Sequence, residues 1–170
     1  MNKQKYFNTD IKKQILRKTI FKSIRELRYN TFAWVVIANH YHILLKVKKS
    51  RFLGKLINLI NGRSSYMINR LEKQKDRKIW YSYWDTCIRN ESDFYTHFNY
   101  IHNNPIKHKY VNKLIELPAY EFSSYPYYLR TNGQEWINDI FMRYPIVDYV
   151  EKLNFLGFSF HFYELISHYY

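Results

Sequence analysis

The stretch NHYHILL places His40 and His42 two positions apart, directly before an aliphatic run. Side chains alternate across a β-strand, so both imidazoles project from one face while Tyr41 points to the other. Neutral imidazole binds divalent metals well, but two ligands are too few, and a third has to come from elsewhere in the fold. The spacing fits a metal site, although two polar residues on a half-exposed strand would give the same pattern.

A second stretch, NYIHNNPIKHKYV, carries Tyr100 and Asn104. On a helix these residues are four positions apart and share one face, beside the apolar stripe of the same segment. A hydroxyl and an amide oxygen then face the same way. The alternative is an exposed tyrosine followed by an asparagine that ends the helix, and a chain with 18 tyrosines offers many such pairs.

Hydrophobic periodicity predicts the elements that position these residues. Apolar side chains recur at helical spacing in three segments, over residues 10–29, 51–74 and 93–103. Continuous apolar and β-branched runs predict strands over residues 32–37, 41–47 and 79–90. We expect Ala38 and Asn39 to join the first two strands as a buried hairpin. Gly62 is expected to weaken the second helix, and Pro105 to end the third, because proline disfavours helical geometry in the preceding residue.

The last third of the chain has weaker signals. We expect a loop over residues 114–130 and short helices over 134–142 and 146–153. Larger apolar residues then alternate with smaller or polar ones, which predicts a half-buried strand with Leu156, Phe158, Phe160 and Phe162 on one side. We divide the chain into a main domain over residues 1–130 and an extension over 131–170 that packs on the same domain.

Composition points to a folded protein with a polyanionic partner. Lys and Arg number 27 against 14 Asp and Glu, a net charge of +13, and 18 Tyr and 12 Phe lie among these cations. Cations neutralise phosphates while aromatic faces stack unpaired bases, so we expect nucleic acid as the partner, although a basic proteome would bias the charge in the same way. A single cysteine, Cys87, excludes an internal disulfide. Neither a signal peptide nor a run of ~18 apolar residues is visible, so we expect a cytoplasmic protein without a membrane partner.

Taken together, these stretches resemble the REP-associated tyrosine transposases, a group within the single-tyrosine HUH transposases. VVIANHYHILLKV is similar to the family's hairpin with its two histidines, and YIHNNPIKHKYV to its tyrosine helix with the Asn-Pro that follows. Three further segments occur in the family's order as its linking helix, its Trp-containing strand and its paired serines: GKLINLINGRSSYMINR, KIWYSYWDTCIRNESDFYTHF and LPAYEFSSYPYYL. The resemblance spans about residues 31–130.

This resemblance implies an α+β fold of the HUH endonuclease type, with helices packed on a central antiparallel sheet of ferredoxin-like or RRM-like topology. It implies that Tyr100 is the nucleophile and that His40, His42 and Asn104 bind Mg²⁺ or Mn²⁺. The implied substrate is single-stranded DNA beside a REP-like hairpin, cut through a 5′-phosphotyrosine intermediate by a monomer or homodimer. From their charge we expect basic side chains to contact the DNA, at Lys55, Arg63, Arg70 and Lys107.

The sequence departs from the family pattern in two places, the hairpin turn and the first β-strand. Ala38 stands where proline is usual in the hairpin. The family's first β-strand is shortened or missing, because only KYFN precedes the first helix. An open edge inside a sheet would leave backbone groups unsatisfied, so we expect residues 155–162 to supply the strand from the C-terminal side.

Other functions stay open at this point. A catalytically impaired or domesticated relative would bind DNA without cutting it, and an RNA-binding protein could carry incidental histidines. A zinc hydrolase is disfavoured, because His97, His102 and His108 are expected to face different ways on their helix and loop.

Overall fold

The elements alternate between helix and strand in a computed structural model that describes residues 4–47, 52–81 and 83–146, and the backbone of 158–163. The helices are α1 (Asp10–Leu27), α2 (Leu53–Leu71), α3 (Glu91–Lys107) and α4 (Tyr125–Arg143), with a 3-10 helix over Leu114–Ala119. The strands are β1 (Asn30–Val36), β2 (Tyr41–Lys46), β3 (Tyr83–Ile88) and β4 (Phe158–Tyr163). None of the helices in these ranges is both long and apolar enough to cross a membrane.

Local signals explain where the first and third helices begin. The Thr9 hydroxyl accepts a hydrogen bond from the Lys12 N–H at 3.4 Å, and the Asn90 side chain accepts one from the Asp93 N–H at 2.8 Å. Such caps satisfy donors that the first helical turn leaves open. The first helix ends at Arg28, which adopts a left-handed conformation with φ of 56°. The predicted helices over 10–29 and 51–74 are confirmed, and Gly62 lies in α2 without breaking it.

The sheet has the strand order β1-β2-β4-β3, so the C-terminal strand occupies an interior position. On one edge β2 pairs antiparallel with β1, and on its other edge it pairs with β4, where His42 is opposite Ser159. The hypothesis that the C-terminal segment adds a strand to the sheet beside His42 is therefore confirmed. The chain before α1 makes a smaller contribution, in which the Phe7 N–H donates to the Ala38 carbonyl at 2.7 Å.

The α+β fold is confirmed, but the sheet is mixed. β1 and β2 are antiparallel as expected, whereas β4 runs parallel to both β2 and β3. The interior strand comes from the C-terminal segment and pairs in the parallel direction. Backbone pairing covers the open edge in either direction, so the sheet closes although the strand direction is reversed.

The two faces of β2 carry different helices. On one face the Tyr41 hydroxyl donates to Asn61 Oδ1 in α2 at 3.2 Å, and α2 packs on α1. On the opposite face, the His42 ring lies 5.3 Å from the ring of Tyr100 in α3, measured between centroids. The alternation of side chains along β2 therefore directs the histidines toward the tyrosine helix.

Proline does not end the third helix, so that prediction was wrong. Pro105 lies inside α3, which continues to Lys107. Proline removes one N–H from the ladder, but the next bonds form: the His108 N–H donates to the Asn104 carbonyl at 3.0 Å and the Tyr110 N–H to the Pro105 carbonyl at 2.8 Å. The last turn thus keeps Asn104 in helical geometry.

The predicted loop over 114–130 was also wrong in part. Its first residues form the 3-10 helix, and its last residues begin α4 at Tyr125, with Pro126 in the first turn, where a missing N–H costs nothing. Gly133, with φ of 83°, divides α4 into two helical segments, and the second contains the predicted helix over 134–142. The boundary drawn at residue 130 falls within this helix. Most of the predicted helix over 146–153 lies outside the described residues.

The position of β4 predicts the effect of two truncations. A chain ending at Phe155 loses the interior strand and leaves the facing edges of β2 and β3 unpaired, so its melting temperature should fall by ~10 °C or more, since each kcal/mol lost is worth roughly 2–4 °C at this size. A chain ending at Tyr163 keeps β4 and should melt within a few degrees of the full chain. Circular dichroism melts compare them. Equal melting of both truncations would contradict the role of β4.

Candidate active site

The turn between β1 and β2 sets the position of the first histidine. The Ile37 N–H donates to the His40 carbonyl at 2.8 Å and closes the turn. The Ala38 N–H donates to the Tyr110 hydroxyl at 3.0 Å, which links the turn to the segment after α3. Proline has no N–H and could not make this bond. The alanine that departs from the family pattern therefore ties the histidine turn to the tyrosine helix.

The two histidines are brought together as predicted. Their ring centroids lie 5.0 Å apart, nearly perpendicular to each other. His42 is buried, whereas His40 is half-buried in the turn directly before β2. Tyr100 packs against His42 from α3 and is itself only 6% exposed. The hairpin and the helix thus converge on one site.

Asn104 faces His40 with its oxygen. Its Nδ2 donates to the Tyr100 carbonyl one helical turn earlier, at 2.9 Å, and Oδ1 lies 3.4 Å from His40 Nε2. His40 Nδ1 lies 2.8 Å from Asn39 Oδ1, so each ring nitrogen of His40 faces an amide oxygen. With the proton on Nδ1, Nε2 and Asn104 Oδ1 would present two lone pairs to a cation bound beside them.

The donor set consists of two imidazoles and one amide. Within the described ranges, no three His, Cys, Asp or Glu side chains are arranged to hold a metal ion. A site here therefore depends on the amide oxygen of Asn104 as the third protein ligand. Amide oxygen and imidazole together suit Mg²⁺ or Mn²⁺ when water and phosphate oxygens complete the coordination.

Tyr100 has a cation and a cavity beside it. Lys107 Nζ lies 5.1 Å from the centre of the Tyr100 ring, and the lysine is exposed to solvent. A cavity of about 320 Å³ is lined by Tyr100, Asn103, Ile106, Lys107 and Ile146. The buried ring thus has an open side, and positive charge lies where an anionic substrate could reach it.

The remaining histidines of this region have separate surroundings. His97 pairs with Asp93, with 2.9 Å between Nδ1 and Oδ1. His102 is buried, and its Nε2 lies 2.7 Å from Ser124 Oγ. His108 instead approaches the site, with its ring centroid 4.7 Å from that of His40.

Sequence reasoning missed Asn39 and His108 as neighbours of the site. Helical spacing offered a signal for His108, which follows Asn104 by four residues on the same face. Asn39 precedes His40 directly, but only the turn geometry places its oxygen against the imidazole.

The expected DNA contacts divide between the two faces of the sheet. Lys107 lies beside Tyr100, whereas the others belong to α2 on the opposite face. Lys55 and Arg70 are exposed there. Arg63 is engaged with α1, because its Nη2 lies 2.8 Å from Glu26 Oε2 and its Nη1 donates to Ser23 Oγ at 3.2 Å.

Comparisons with known proteins find relatives of this chain by sequence and by fold. The family model described as "Transposase IS200 like" matches residues 1–104. The chain is 28% identical to a REP-associated tyrosine transposase of Escherichia coli K12 over 117 residues, which cover 64% of each chain. The match thus spans less than two thirds of that relative. A solved structure described as a REP-associated tyrosine transposase bound to a REP hairpin has a TM-score of 0.53 at 19% identity, covering 79% of this chain and 76% of the other.

Burial of His102 predicts a pH dependence of stability. Removal from water lowers the pKa of His102 to about 3, below the ~6.5 of an exposed histidine. The folded protein therefore excludes a proton that the unfolded chain binds, and stability present above pH ~6.5 is lost as the pH falls toward 3.

His102→Gln removes this titration. On going from pH 7.5 to pH 5, we therefore expect wild type to lose ~2 kcal/mol more unfolding free energy than the variant does. Urea unfolding at the two pH values measures it. Parallel pH profiles of the two proteins would contradict a neutral buried His102.

Proposed function

Because the chain belongs to the IS200-like transposase family, we propose that it cuts and rejoins single-stranded DNA beside a hairpin, with Tyr100 as the nucleophile. The convergence of Tyr100, His42 and the Asn104–His40 pair carries the proposal, together with the cavity that opens beside Tyr100. The family supports the transposase activity. The relative with a similar fold is described as bound to a REP hairpin, and this favours a hairpin DNA as the partner.

The reaction conserves the number of phosphate ester bonds. The Tyr100 oxygen attacks the phosphorus and the bond to the 3′ oxygen breaks. The upstream fragment leaves with a free 3′ hydroxyl, and the downstream fragment stays joined to the tyrosine through its 5′ phosphate. The phenol proton is lost during attack, and the departing 3′ oxygen gains one. A second 3′ hydroxyl then reverses the steps and joins a new strand without ATP.

The cation of Lys107 is placed to favour this attack. A tyrosine hydroxyl ordinarily has a pKa near ~10, so positive charge beside the ring helps the oxygen to lose its proton. Lys107 Nζ lies 5.1 Å from the ring centre, and Lys107 also lines the cavity that a phosphate would approach. Its role is to attract the backbone and stabilise negative charge.

His40, His42 and Asn104 would hold Mg²⁺ or Mn²⁺. When bound, the ion supplies Lewis-acid polarisation of a non-bridging phosphate oxygen. The protein's own contribution is orientation, since the Asn39 oxygen lies against His40 Nδ1 and the Tyr100 carbonyl accepts a hydrogen bond from the Asn104 amide. Partners of this kind commonly change metal affinity when they are removed.

We assign the basic residues of α2 to the hairpin rather than to the cleaved phosphate. Lys55 and Arg70 are exposed on the sheet face opposite Tyr100, where they fit contacts to a distant part of the DNA. Arg63 has a structural role in addition, through Glu26. The protein would act as a monomer or a homodimer.

The second candidate is a relative that binds hairpin DNA without cutting it. The observation that favours it is the low exposure of Tyr100, because a nucleophile has to reach its phosphate. Both candidates share the fold and the charge, so the covalent intermediate distinguishes them.

A denaturation-resistant adduct tests the nucleophile. Wild-type protein is incubated with hairpin-tailed single-stranded DNA and Mn²⁺. In a denaturing gel, part of the protein should then migrate with DNA covalently attached. Tyr100→Phe should give none, because the attacking oxygen is gone, while Tyr127→Phe, an exposed position on α4, should react as wild type does. An adduct in Tyr100→Phe would disprove the assignment. If wild-type protein forms no adduct with any metal and DNA tested, the relative that binds DNA without cutting it would be favoured.

Titration calorimetry with Mn²⁺ alone tests the ligands. Asn104→Ala removes a proposed ligand and should weaken Mn²⁺ binding. Asn39→Ala removes the oxygen that lies against His40 Nδ1, and we expect it to weaken Mn²⁺ binding by roughly 10–100-fold. Asn138→Ala, on the exposed side of α4, should bind as wild type does. Unchanged affinity in both site variants would place the cation elsewhere.

A further inference from the structure

The cavity beside Tyr100 has the chemistry of a nucleobase site. Its volume of about 320 Å³ lies at the small end of ligand pockets, which run from ~300 to 1,000 Å³, and suits one nucleotide rather than a duplex. Ile106 and Ile146 supply apolar walls, Asn103 an amide, and Lys107 a cation. A base has apolar faces and a polar edge, so these groups match its parts.

The cavity is also in the right place for a base next to the cleaved phosphate. Tyr100, Asn103 and Lys107 are separated by three and four residues along α3, so they lie on one face of the helix. A phosphate attacked by Tyr100 therefore comes close to Lys107. The base attached to that phosphate then lies within reach of Asn103.

The orientation of the Asn103 amide is fixed by a second asparagine. Asn103 Nδ2 donates to the Asn99 carbonyl at 3.1 Å and to Asn99 Oδ1 at 2.5 Å. Asn99 is buried, and its own Nδ2 donates to the Tyr144 carbonyl at 2.8 Å, so its oxygen is the atom left to accept. The hydrogen bonds from Asn103 to Asn99 and from Asn99 to Tyr144 form a relay, which ends at the C-terminus of α4, two residues before Ile146.

This relay decides what Asn103 offers to a ligand. An amide nitrogen has two hydrogens, and both are used within the relay. The carbonyl oxygen remains, and it accepts hydrogen bonds only. Adenine, cytosine and guanine carry an exocyclic amine that fits an acceptor. Thymine has only N3–H, flanked by two carbonyl oxygens that would repel the Asn103 oxygen.

We propose that this cavity binds one of the two nucleobases joined by the cleaved phosphate, and that Asn103 Oδ1 accepts a hydrogen bond from its exocyclic amine, which selects against thymine. The inference rests on the proposed function for the position of the phosphate, and it deepens that function by naming the class of base. It assigns Asn103 to specificity and leaves the chemistry to Tyr100.

A binding selection tests the preference without relying on cleavage. Full-length Tyr100→Phe protein selects from hairpin-tailed single-stranded DNA with a randomised tail, and sequencing reads the bound fraction. We expect thymine to be depleted ~5-fold at one position at a fixed distance from the hairpin, the size of one hydrogen bond. Adding Asn103→Leu should abolish the depletion. Adding Lys107→Gln should weaken binding of all sequences and leave the base preference intact. Thymine bound as well as the other bases would overturn the proposal.

A change on the DNA side gives the same answer without altering the protein. At the selected position adenine is replaced by purine, which lacks the amine, and affinity is measured by fluorescence anisotropy. Loss of the amine should weaken binding by Tyr100→Phe protein ~5-fold and have no effect once Asn103→Leu is present. Equal affinity for adenine and purine in Tyr100→Phe protein would overturn the proposal even where Asn103→Leu fails to fold.

The two hypotheses fail separately in these experiments. Wild-type protein that forms no adduct, together with thymine depletion by Tyr100→Phe protein, removes the proposed cleavage and keeps the base site. An adduct through Tyr100 with no base preference removes the base site and keeps the cleavage.

Discussion

The backbone of β2 has to be hydrogen bonded along both edges, and the site depends on how that requirement is met. β1 covers one edge and β4, from the far end of the chain, covers the other. With both edges paired, the strand's plane is fixed and its side chains alternate between two helices. Tyr41 then contacts α2, while His42 contacts α3. A strand with a free edge could twist or slip, and a slip by one residue would exchange these faces.

A buried polar chain fixes α3 against the sheet. The Trp34 N–H of β1 donates to Ser124 Oγ at 3.0 Å, and Ser124 Oγ lies 2.7 Å from His102 Nε2. His102 and Ser124 are buried, so leaving either of them unpaired would cost about 1–3 kcal/mol. That cost restricts the rotation of the helix about its axis. The side that carries Tyr100 and Asn104 therefore faces the histidines.

The sequence predicted those parts of the site that depend on local periodicity. The paired histidines, the hairpin and the shared face of Tyr100 and Asn104 follow from alternation in strands and from the helical repeat, and all are observed. The parts that depend on distant contacts were missed. Helical spacing put His108 on the face of Asn104, but its approach to His40 depends on how the hairpin packs against α3. α3 continues past Pro105 against its local signal, and the start of α4 at Tyr125 was missed although Pro126 fits a first helical turn.

The two departures from the family pattern act on the same hairpin. The missing first strand would leave one edge of β2 open, and β4 closes it. Ala38, in place of proline, gives the turn an N–H that reaches the Tyr110 hydroxyl just after α3. The strand therefore fixes the body of the hairpin and the hydrogen bond fixes its tip. Because His40 lies at that tip and Asn104 in the last turns of α3, the bond at Ala38 spans the same gap as the 3.4 Å approach of imidazole and amide. The interior strand β4 and the hydrogen bond at Ala38 thus hold His40 and Asn104 close to each other.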